Sequence, residues 1–181
     1  MSPTQKRIFE WPILLLVLWM LQALEISLLQ LPFSLGSVHV FVIVISYLAL
    51  TRDWLKMMLL SVGFSIMASF TTTVPAGVHI ATLLWMGLLS KIFVQEFALE
   101  GRRTFMLLAV SNFAFYKLST WIILKLWFQT FSLADTVSSI LLSAPVVMVG
   151  AHLAFPWLLK WDHYFDHPVH ESRDLMQGTL R

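Results

Sequence analysis

The residues with the greatest chemical potential sit where charge is least welcome. Glu25, Lys91, Lys117, Lys125 and His152 interrupt long apolar runs. In a bilayer core such groups usually face protein or water, and they mark ion paths, proton relays or polar contacts between helices. Glu25 falls in the outer half of the first run. Lys117 is near the middle of the fifth, with Lys125 about two turns further outward. Glu25 therefore meets either lysine at similar depth if the first and fifth runs are neighbours. On a functional reading this is an ion or proton path, or an anchor for a partner helix. On a structural reading it is an ion pair inside a bundle, or Lys125 extends to the outer headgroups. The structural reading is preferred, because no second acidic group lies at that depth. Lys91, six residues before Phe97 and near Glu96, reads as an inward-reaching anchor. His152 stands alone on its run and reads as a hydrogen-bonded bundle residue.

His39 and His79 fall at outer ends of their runs and can approach one another. Two histidines without a third ligand are a weak metal signal, so no metal or cofactor is expected. Together with Trp85 they outline an alternative, a ligand pocket opening outward beneath Thr71–Gly77, since pockets combine apolar walls with a few converging polar groups. Ser61, Ser65 and Ser69 recur every four residues, with Gly63 and Ala68 close by. This spacing lets helix backbones approach and hydroxyls bond across the contact. It serves packing within the chain or a partner-binding face, and packing is preferred. Ser111 and Asn112 add polar contacts on the fifth run. With no cysteine there is no disulfide, thiolate nucleophile or cysteine metal site. There is no Gly-rich phosphate loop, His-Glu-x-x-His or Gly-x-Ser-x-Gly, so an enzyme is not expected. A net charge of +2 is too small to point to nucleic acid.

The elements that must position these residues are membrane helices. Apolar residues make up 58% of the 181 and charged ones 12%, about half the charged fraction of a soluble domain. A mean hydropathy of +0.78 implies a surface that is itself largely apolar. Apolar runs cover Trp11–Leu29, Ser37–Leu50, Leu55–Phe70, Val78–Phe97, Thr104–Phe128 and Thr136–Leu159, against a need of about 20 residues per crossing. The first run is too long for a signal core and no small-residue cleavage pattern follows, so it reads as a retained helix. Breaks with Lys6 and Arg7, Arg52 and Lys56, Arg102 and Arg103, and Lys160 alternate with Leu31–Val38, Thr71–Gly77 and Gln129–Thr136, which carry no Lys or Arg. Basic residues stay on the cytoplasmic side. The expected fold is therefore an all-α polytopic membrane protein of six transmembrane helices, with both termini in the cytoplasm. Residues 1–10 form the N-terminus, 11–161 the bundle and 162–181 a polar tail outside the core. Short connections make successive helices antiparallel neighbours, and Pro145 and Pro156 are expected to kink the sixth.

The layout resembles that of the rod-shape-determining MreD family of bacterial inner membranes. The stretches that carry the resemblance are Gly63-Phe64, Pro75-Ala76-Gly77-Val78-His79, Ser143-Ala144-Pro145, and Phe155-Pro156-Trp157 through Asp162. In place of the proline common at the start of that family's second helix, this chain has Ser37-Val38-His39. The resemblance implies a six-helix bundle similar to the substrate-binding subunits of energy-coupling-factor transporters. It also implies a non-enzymatic scaffold of the cell-elongation, peptidoglycan-synthesising machinery in the inner membrane. Its partners would be the bilayer, a bitopic MreC-like protein and the cell-wall synthases. The alternative function is a substrate-binding subunit of a vitamin or metal transporter, which shares helix count and size.

Overall fold

A computed structural model describes residues 12–21, 23, 40–70, 74–97, 101–128 and 132–165. Their regular structure is helical throughout: α1 (Pro12–Leu21), α2 (Val40–Thr51), α3 (Trp54–Ser69), α4 (Ala76–Glu96), α5 (Gly101–Phe128) and α6 (Leu133–Tyr164). By length and composition α4, α5 and α6 are long and apolar enough to cross a membrane, whereas α1, α2 and α3 are shorter apolar helices. At 32 residues α6 extends about 48 Å, more than the roughly 30 Å of a hydrocarbon core.

The twelve-residue α2 holds the centre. The run Val40-Phe41-Val42-Ile43-Val44-Ile45 has the composition of a strand. A helix satisfies every backbone group within its own segment, which an apolar medium demands. A helix apolar on all sides must also be enclosed. Accordingly α2 is buried without a break from Phe41 to Ala49 and packs on α3, α4, α5 and α6. Successive helices α2–α3, α3–α4, α4–α5 and α5–α6 are neighbours, as their short connections require.

Small residues set the closest approaches. Gly87 of α4 faces α3, where an added Cβ would lie 3.3 Å from Ser61 Oγ and 3.4 Å from Met57 Cε. Leu15 of α1 comes equally close to Gly63 of α3. Gly101 opens α5 at φ +90°, a left-handed conformation that side-chain-bearing residues rarely adopt.

The sixth helix differs from expectation at its end. The stripe Val147, Ala151, Phe155, Leu158, Asp162, Phe165 is buried and recurs every three or four residues. The bundle therefore continues past Trp161: Asp162 in the last turn of α6 and Phe165 at its C-cap are buried, although the polar tail is expected to start at Asp162. The helical period simply runs on through a charged residue that has a buried partner. The helix is also continuous through Pro145 and Pro156.

Candidate functional site

Polar side chains inside the bundle fall into three clusters along its length. At one end, Tyr47 Oη donates to Asp162 Oδ2 at 2.6 Å and Arg52 Nη2 to Asp162 Oδ1 at 2.5 Å. Arg52 and Asp162 are each 8% exposed, so this is a buried, charge-assisted contact between the end of α2 and the end of α6. Lys91 of α4 reaches the same place. Its Nζ donates to the carbonyls of Ala49 (3.1 Å) and Arg52 (2.6 Å). Those carbonyls lie at the C-terminus of α2, where helix geometry leaves acceptors unpaired and the dipole favours a cation. Lys91 thus anchors by capping another helix. Trp54 Nε1 donates to Gln95 Oε1 beside it, and the rings of Phe105 and Phe155 pack edge-on against Tyr47 and tilted against each other.

The middle cluster joins three helices through one amide. Asn112 Nδ2 donates to Ser46 Oγ at 2.8 Å, and Asn112 Oδ1 accepts from Ser90 Oγ at 2.7 Å. Ser46 in turn donates to Val42 O. At the far end, Tyr116 Oη and His79 Nδ1 are 2.9 Å apart with their rings stacked. Ser65 Oγ lies within bonding distance of Ser61 O (2.6 Å) and His79 O (3.2 Å).

A further contact arises from Pro156. Without an amide hydrogen, it leaves the carbonyl of His152, four residues earlier, with no partner in its own helix. Arg102 Nη2 of α5 donates to that carbonyl at 2.8 Å. The guanidinium is drawn along α5 toward the proline gap, and its Nε is buried without a hydrogen-bond partner.

The residues singled out in the sequence are distributed unequally over this framework. Ser61 and Ser65 are fully buried between α3 and α4, while Ser69 is half-buried and bonds Ile66 O within its own helix. Lys117 and Lys125 each lie back over the ring one turn earlier, Lys117 Nζ 5.6 Å from the Phe113 centroid and Lys125 Nζ 4.8 Å from that of Trp121. Their suggested partner Glu25 is outside the described residues, as is His39. His79 is buried whereas Trp85 is 62% exposed, so α4 carries these two on different sides. The His152 side chain is exposed, and the residue contributes its backbone carbonyl to the bundle instead. Among the described residues no group of three or more His, Asp or Glu could hold a metal ion.

Tyr47 and Tyr116 carry no signal in the sequence, where Arg102 stands out only as a basic residue of a break and Asp162 only as the end of a family-like stretch. Asp162 was nevertheless legible from its place on the buried α6 stripe, and the open carbonyl at His152 from Pro156. Two cavities, each about 400 Å³, open between α4 and α5. One, near Pro75 and Trp127, is lined by apolar residues. The other has Ser90, Ser111 and Asn112 among its lining groups. No family model, curated protein or solved structure matches the chain.

Proposed function

We propose that this chain is a non-enzymatic membrane scaffold, embedded in a bacterial inner membrane by six helices, which holds partner helices against its lateral faces. The observation that carries this reading is how the polar interior is used. Arg52, Asp162, Tyr47, Lys91, Asn112 and Ser46 bond one another or helix carbonyls, tying the helices together as a framework. Apolar side chains such as Leu141, Leu142, Val149, Leu153 and Trp157 are meanwhile exposed along α6. Exposed apolar faces of this extent meet lipid or other membrane helices. With Arg52, Lys56, Arg102 and Arg103 on the cytoplasmic side, both termini are cytoplasmic.

The stretches at Gly63-Phe64, Pro75–His79 and Phe155–Asp162 support a role of the MreD type. The chain would then hold a bitopic MreC-like partner and, with it, the peptidoglycan synthases of the elongation machinery. Deleting the gene in its host tests this. Rod-shaped cells should become round and recover shape when the chain is restored, whereas unchanged rods would contradict the assignment.

A further inference from the structure

We draw no further inference here: the strongest candidate, the groove between α4 and α5 lined in part by Ser90, Ser111 and Asn112, carries nothing because nothing in the structure shows what covers it.

Discussion

Asp162 joins one end of the bundle through a single carboxylate, so the strongest residue-scale effects centre there. Asp162→Ala removes the carboxylate that accepts from the buried Arg52 guanidinium and Tyr47 hydroxyl. Breaking a buried pair from one side typically destabilises by about 3–5 kcal/mol, whereas replacing both members by apolar residues is often close to neutral. Thermal unfolding in detergent should therefore show a large loss in Asp162→Ala and a much smaller one in the double variant Arg52→Leu with Asp162→Leu. Equal losses would show that the pair is not coupled. Arg102 gives a second, independent case. Arg102→Leu strands the His152 carbonyl, at about 1–3 kcal/mol. In a Pro156→Ala background the helix regains its own amide, so the same replacement should matter far less, and a double-mutant cycle reads the difference. The sequence shows the orphaned carbonyl, because Pro156 always removes that donor. It does not show that the replacement comes from a residue fifty positions earlier, since the α5–α6 register is a tertiary property.

At the scale of elements, helix identity was legible and helix position only partly so. Apolar runs flanked by polar breaks placed the α3–α6 boundaries within a few residues. What the runs do not show is which helix is central. The run at Val40 is nearly uniform in hydropathy, and its burial on all sides follows from contacts with four other helices. The seryl spacing on α3 is a counterexample, because a repeat of small residues already says that a helix comes close. Ser61 and Ser65 meet α4 at Gly87 and His79, and Ser69 lies beyond that contact. Gly87→Leu should drive α3 and α4 apart and destabilise by about 1–3 kcal/mol or more, as overpacking does. Gly87→Ala, whose Cβ meets the side-chain tips of Ser61 and Met57 at 3.3–3.4 Å, should be tolerated much better. Comparable unfolding of the two would show that this contact does not set the spacing.

For the whole molecule, the alternation of basic and uncharged breaks remains the basis for orientation, and the contacts bring Arg52, Lys91 and Asp162 together at one end. Because the chain has no cysteine, single introduced thiols report sidedness cleanly. Ser132→Cys should label from outside the cell, and Asp53→Cys only after the cytoplasmic face is opened; the reverse pattern would invert the bundle. The internal framework couples its helices through buried bonds, and the lateral surface is where a scaffold acts. The most direct test of that claim is to purify the tagged full chain from host membranes in mild detergent and quantify what accompanies it. A scaffold retains a single-span membrane protein at fixed stoichiometry. A chain that emerges alone, or with only a tightly held small molecule, contradicts the account.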